Sequence, residues 1–554
     1  MPDPHAPTAR RRLFPGHALW LAGAGCVAAL VCLPVLSLAL IAAQGSPDFW
    51  PHLLRNVLPV ALRETVLLMA GVGAMVAVIG TGTAWLVTAH DFPGRRLFEW
   101  ALLLPLAVPT YIVAYAYLDI LHPVGPVQGA IRGLLGYSSP REFRLPDVRS
   151  MTGCILLLGL VLYPYVYLTT RALFLTQAAN VVEAARSLGT PRHRVFDRVA
   201  LPMARPAIAV GISLALMETL NDIGASEFLG VRTMTVAVYN TWLNRSDMPG
   251  AAQLSLVMLA FVAGLVMLER HARRRQRYAG AAQRPHPLAP TRLTGGRAAL
   301  AVLACALPVA LGFVAPAIYL VDQAWARFRF AGISPRILAE AWNTISFAAM
   351  ATVLVLAAGM VMAFAARLRP GALTATASRL STLGYALPGT VLAIGVLPVV
   401  LALDHRLDDL AQGVTGRGVG LLLMGSGAAL VYAYAVRFMA IATGGLESGL
   451  SRIPTSLDHA ARTLGQRPAG AFRLIHLPLS RAAIAAAGLL VFVDCVKELP
   501  ATLLLRPLNF ETLATHLYGE AARGTYEEAA IAALIIVVIG MLPVALLARV
   551  GRRM

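Results

Sequence analysis

Twelve stretches of this chain are apolar for long enough to cross a lipid bilayer, and that single property removes most of the folds open to a polypeptide. The runs cover approximately residues 18–43, 65–89, 98–121, 151–177, 205–225, 250–268, 298–321, 343–366, 382–403, 418–442, 482–505 and 528–549. A helix needs about 20 residues to cross a hydrocarbon core of about 30 Å. No water reaches that core to satisfy backbone N–H and C=O groups, so only helices and closed barrels are stable there. None of the runs alternates with period two, which predicts an all-α polytopic membrane protein of about twelve transmembrane helices. The composition agrees: of 554 residues, 58% are hydrophobic and 14% charged, against roughly 25% charged in soluble domains.

A net charge of +19 does not mark a nucleic-acid binder, because the arginines sit at the ends of apolar runs rather than along one basic face. Their placement sets an orientation instead. With Arg10, Arg11 and Arg12 in the cytoplasm, parity places Arg95 and Arg96, the segment ERHARRRQR (269–277), the loop RLRPGALTATASR (367–379) and Arg549, Arg552 and Arg553 on the same side. Both termini are then cytoplasmic. The loop 122–150, with Arg132, Arg141, Arg144 and Arg149, is the exception and lies outside. The first run exceeds a signal-peptide core and reads as a retained span, although LIAAQG offers a cleavage-like site. The five cysteines all lie within apolar runs and form no CxxC, so they read as small core residues.

The chain also repeats itself. EAARSLGTPRHRVFDRVALP (183–202) returns 276 positions later as HAARTLGQRPAGAFRLIHLP (459–478). Thr65, Gly80 and Ala84 recur as Thr344, Gly359 and Ala363, and Leu104-Pro105 is matched with Leu387-Pro388. Glu218 and Asp222 in METLNDIGA align with Asp494 and Glu498 in VDCVKELPA. Six spans per unit is an even number, so the two units are parallel in the membrane. The expected division is a cytoplasmic N-terminus (1–17), a first six-helix unit (18–268), a basic cytoplasmic linker (269–297) and a second six-helix unit (298–554).

The repeated polar phrase reads as a docking element. Its residues are Glu183, Ala184, Ala185, Gly189, Phe196 and Pro202 in the first copy, and His459, Ala460, Ala461, Gly465, Phe472 and Pro478 in the second. Alanine and leucine favour helix, the glycine supplies a C-cap and bend, and the proline opens the next span. A single copy would read equally as an amphipathic interfacial connector. Two copies in register on one face point to a partner with two equivalent pockets, most simply a symmetric dimer.

The phrase resembles E-A-A-x3-G-x9-I-x-L-P, the cytoplasmic loop of binding-protein-dependent ABC importer permeases. The first copy has Val199 for the isoleucine; the second keeps Ile475 but has Asp458-His459 where the glutamate is expected. PLAVPTYIVAYAYLDIL, LVLYPYVYLTTRALF, ALMETLNDIGASEFLGV, YALPGTVLAIGVL and KELPATLLLRPLNFETLATHLY are similar to the fused two-unit permeases of ferric-iron importers, over nearly the whole chain. Fused thiamine permeases share the architecture. The resemblance implies that the twelve phrase residues dock a homodimeric ABC ATPase, with His459 making the two contacts unequal. It further implies a periplasmic binding protein that delivers cargo and a place in the bacterial inner membrane. ATP would bind to the partner, and this chain would carry no cofactor.

The residues themselves agree on the power source. A Walker loop, G-x4-G-K-[ST], needs a lysine in that setting, and Lys497 in CVKELP is the only lysine in the chain. The twelve histidines are scattered without HExxH or paired-ligand spacing, so an enzyme is not expected and no metal site is assigned. Glu218 and Asp222, like Asp494 and Glu498, are spaced i, i+4 and so share a helical face, at a depth where a charge costs about 2.5–3.5 kcal/mol. One reading is structural, with Lys497 neutralising Asp494 and Glu218 bonded across helices. The other makes the four carboxylates the wall of a translocation pathway, offering oxygen to a hard trivalent cation in passing. Tyr111, Tyr115, Tyr117, Tyr163, Tyr165 and Tyr167 divide the same way, with aromatic packing the simpler account. Residues 232–244 and 509–521 are matched outer-face stretches which, on the resemblance, meet the binding protein or gate the pathway. A twelve-helix secondary transporter driven through the carboxylates is the alternative from another class. The duplicated docking phrase speaks against it, since such a carrier has no ATPase to engage.

Overall fold

Two of the helix breaks in this membrane bundle fall at matched prolines. The computed structural model describes residues 15–47, 50–187, 190–191, 194–274 and 290–551, and each apolar run is helical over most of its length. Among the described residues nine helices are singly long and apolar enough to span; two pairs bent by 90° and 74° raise the number to eleven, and Met248–Gly264 is a shorter apolar segment. The run 98–121 is one of the bent pairs. A 3-10 turn, Leu104–Ala107, stops before Pro109 (φ −56°, ψ 144°), and helix Thr110–Ile120 starts after it. The second half does the same: turn Leu383–Ala386, then Pro388 (φ −57°, ψ 145°), then helix Gly389–Thr415. Proline lacks an N–H and forces the residue before it to be extended, so the helix restarts. Leu387-Pro388 therefore corresponds to Val108-Pro109, 279 residues earlier, and not to Leu104-Pro105, which lies inside the preceding turn.

The repeat is visible in individual bonds. The backbone N–H of Met234 donates to Thr65 Oγ1 at 2.9 Å, and that of Leu513 donates to Thr344 Oγ1 at 2.9 Å. These bonds anchor helices Met234–Leu243 and Leu513–Arg523, which contain most of the matched stretches 232–244 and 509–521. The latter helix reaches across to the first half, where the Tyr518 hydroxyl bonds Glu227 and its ring stacks 5.4 Å from Phe228. Within each half a repeated glycine sits at a close helix approach. A Cβ on Gly80 would lie 2.7 Å from Val166 Cβ, and one on Gly359 would lie 3.0 Å from Ala442 Cβ, the small-residue packing that membrane helices use.

The halves are interleaved. Helix Pro15–Gln44 packs on the second-half helices Pro335–Leu368, Ala372–Ser381 and Gly389–Thr415, and Leu30 O accepts the Tyr432 hydroxyl at 2.6 Å. In return, helix Ala315–Ala331 and the π turn before it reach the first half: Tyr117 donates to Leu311 O at 2.6 Å and Tyr319 to Asp119 Oδ2 at 2.7 Å. Tyr115 bonds Tyr526 O and Tyr167 bonds Glu99 O, so three of the six singled-out tyrosines serve packing and backbone satisfaction. The one strand pairing among the described residues joins His90–Asp91 to Thr291–Arg292 in parallel. It tacks the segment before helix Gly295–Val309 to the loop after helix Leu58–Ala89.

Candidate functional site

Two helices that follow the repeated phrases stop partway at matched positions, Leu201–Asn221 and Arg481–Val496, and short helices Gly224–Phe228 and Pro500–Leu505 follow. Asp222 and Glu498 stand in these breaks. Asp222 Oδ1 accepts the Ser226 N–H at 2.9 Å and Oδ2 takes the Thr110 hydroxyl. Glu498 accepts the N–H groups of Ala501 and Thr502 at 3.0 Å and the Thr502 hydroxyl at 2.7 Å. Both carboxylates cap a restarted helix. The i, i+4 argument assumed continuous helices, and here the chain turns before the second member of each pair.

Between the breaks lies a cavity of about 110 Å³ lined by both halves, and Glu218, Asp222, Asp494 and Glu498 all face it. Lys497 Nζ sits 2.9 Å from Asp494 Oδ1, the neutralisation their spacing suggests. Tyr111 and Tyr165 line the same space, and the Tyr111 hydroxyl donates to Lys497 O at 3.4 Å. Arg437 and Tyr385 also line it and were not singled out from sequence. Arg437, 9% exposed, donates from Nη1 to Asn221 Oδ1 of the other half at 2.9 Å and lies 3.8 Å from Glu498 Oε1. The Gly389 N–H donates to the same Asn221 oxygen at 2.8 Å. Tyr385 reaches Glu218 Oε1 at 3.5 Å. Arg437 had a signal, being a charge in the middle of the apolar run VYAYAVRFMAIA; Tyr385 had none. Four carboxylates thus meet two cations. Among the described residues no three His, Cys, Asp or Glu side chains converge to hold a metal ion.

The two repeated phrases contribute no described residue to this cavity, and each leads into one of the two interrupted helices. In the second copy helix Thr455–Thr463 ends at Gly465, whose φ of +75° is left-handed; Gln466 N–H bonds Ala461 O at 2.9 Å, the C-cap expected of glycine. In the first copy Glu183, Ala184 and Ala185 form part of the last turns of helix Met151–Ser187, and Gly189 lies outside the described residues. Pro202 and Pro478 do not open fresh helices. Each follows a π turn, Phe196–Ala200 or Phe472–His476, whose wider ring relieves the i−4 bond that proline cannot make. The two phenylalanines face inward: Phe196 lies 5.4 Å from the Trp85 ring, and Phe472 lies 5.0 Å from Phe364 and 5.1 Å from Trp20. His459, Ala460 and Gly465 are exposed, Ala461 is buried, and Leu464 stands 79% exposed at the tip.

Comparison with known proteins bears on both features. The family model described as binding-protein-dependent transport system inner membrane component matches twice, over residues 77–278 and 355–554. The Fe(3+)-transport system permease protein FbpB 2 of Haemophilus influenzae is 26% identical over 523 residues, 93% of this chain and 95% of that protein. The sulfate transport system permease protein CysT of Escherichia coli is 27% identical over 266 residues, 47% of this chain and 92% of its own length. The molybdenum transport system permease protein ModB of Escherichia coli is 31% identical over 183 residues, 32% of this chain and 76% of that protein.

Proposed function

We propose, from the premise that this chain belongs to the family of binding-protein-dependent transport system inner membrane components, that it is a fused permease moving ferric iron across the bacterial inner membrane. As a multi-pass inner membrane component it works with an ATPase and a periplasmic binding protein. On this reading a homodimeric ATPase takes the two docking phrases in its two pockets, with both termini of the chain on the cytoplasmic side. ATP-driven closure of that dimer draws the phrases together and swings the halves open to the outside; hydrolysis returns them. Opening must break the bonds from Arg437 and Gly389 to Asn221, since these cross between the halves.

The observation that carries the choice of cargo is the acidic excess of the cavity, four carboxylates against two cations. Carboxylate and phenol oxygens suit a hard cation. The sulfate and molybdenum relatives raise an oxyanion as the second reading, against which the two cations are outnumbered by carboxylates and each already has a polar partner, Asn221 for Arg437 and Asp494 for Lys497. The test is uptake of labelled ferric iron, thiamine, sulfate and molybdate by cells with and without the chain. Ferric iron uptake alone should depend on it; dependence of another solute with iron uptake unchanged refutes the assignment.

A further inference from the structure

The second docking phrase departs from its expected pattern at His459, which is exposed, and the side chain one position before it is turned inward. Asp458, one position before the place of the missing glutamate, lies on helix Thr455–Thr463. Its Oδ2 receives Nε of Arg367 at 3.0 Å and sits 2.8 Å from Nη2. Arg367 ends helix Pro335–Leu368, and the same guanidinium donates to Leu450 O at 2.5 Å and to Ile453 O at 2.9 Å. Those carbonyls belong to the last turn of helix Ala428–Ser451 and the corner after it. The other carboxylate oxygen lies 2.7 Å from Nε2 of His476, which is 1% exposed on the return leg, and Nδ1 of that ring is 3.1 Å from Ala471 O. One carboxylate thereby joins two spanning helices, the docking helix and the leg that leads back into the membrane.

We propose that Asp458 is a positioning residue that locks the second docking helix to the permease body, so that these four segments move as one piece when an ATPase pulls on the helix. A fork of two N–H donors on one carboxylate is directional. The side chains of Arg367 and Asp458 are only 11% and 20% exposed, so the pair escapes most of the solvent screening that makes surface ion pairs weak. The lock belongs to the second half. The residues matching Arg367, Asp458 and His476 in the first half are Thr88, Val182 and Ala200, none of which carries a charge.

The lock rests on the docking reading, and the test separates the two. The full chain, co-expressed with its ATPase and reconstituted in liposomes, carries spin labels at Arg369 and Thr463, both exposed. In the otherwise native chain their separation should stay single and narrow with and without ATP. Asp458→Asn should broaden it on ATP addition and lower labelled ferric iron moved per ATP by about fivefold or more, with ATP hydrolysis continuing; Asp458→Glu should restore both. Should Asp458→Asn not reach the membrane, Arg367→Lys, which keeps the charge and loses the fork, takes the same measurement. An unchanged separation in these variants overturns the lock, and loss of ATPase binding with unchanged separation makes Asp458 a direct contact instead. Absence of any cross-link from Ala460 to an ATPase removes the docking reading, while the label separation still decides the lock.

Discussion

Thr65 and Thr344 show how much a single hydroxyl can do in a protein whose interior has no water to offer. Each accepts the first N–H of a buried helix at 2.9 Å. Thr344→Val keeps the shape and strands that donor, so it should destabilise the protein by about 1–3 kcal/mol; thermal unfolding in detergent should place Thr344→Ser close to the native chain. His516, on the helix that Thr344 anchors, has a pH-dependent role. Burial pulls its imidazole down, but the Glu340 carboxylate 3.1 Å away, with Glu520, outweighs that and holds it above the usual 6.5. A raised histidine contributes stability in full below pH 6.5 and loses it as pH rises through the folded-state value. The gap in unfolding midpoint between the native chain and His516→Gln should accordingly narrow above pH 6.5. The four intramembrane carboxylates were legible as charges that need a reason. The capping of Asp222 and Glu498 was not, because it depends on where a helix stops, and spacing alone assumes that it goes on.

At the scale of the element, the repeated phrase was legible where local chemistry decides and opaque where neighbours do. Gly465 adopts the left-handed conformation that its place after HAARTL predicts. Gly465→Val should cost about 1–2 kcal/mol of local strain and sharply reduce uptake, while immunoblots find normal amounts in the membrane. The π turns before Pro202 and Pro478 could not be read, since a proline after a polar stretch equally suits a new helix. Nor could the inward aim of Phe196 and Phe472, whose partners Trp85, Phe364 and Trp20 are far away in sequence. Gly389 is of the same kind: a Cβ there would lie 2.7 Å from Glu498 Oε1 and 2.8 Å from Arg437 Nη1, a crowding that only the folded cavity imposes.

The whole molecule was legible as a tandem because the same physical demand recurs at a fixed interval in each half. Twelve apolar runs became helices, and the two bent pairs arose where the backbone had to leave its regular path. What the repeat could not convey is that the halves are not side by side. Helix Pro15–Gln44 packs on the second half as well as on Met248–Arg274 of its own, and Ala315–Ala331, seated on Tyr526–Gly551, reaches across to the first half through Tyr319 and Asp119. A polypeptide threaded so that each partner borrows the other's leading rod needs no peptide bond to stay assembled. Severing the gene between Gly280 and Ala281 and producing both fragments in one cell should therefore yield a pair that co-purifies through a tag on either piece. Removing residues 15–44 from the first fragment should orphan the second, leaving it to be degraded.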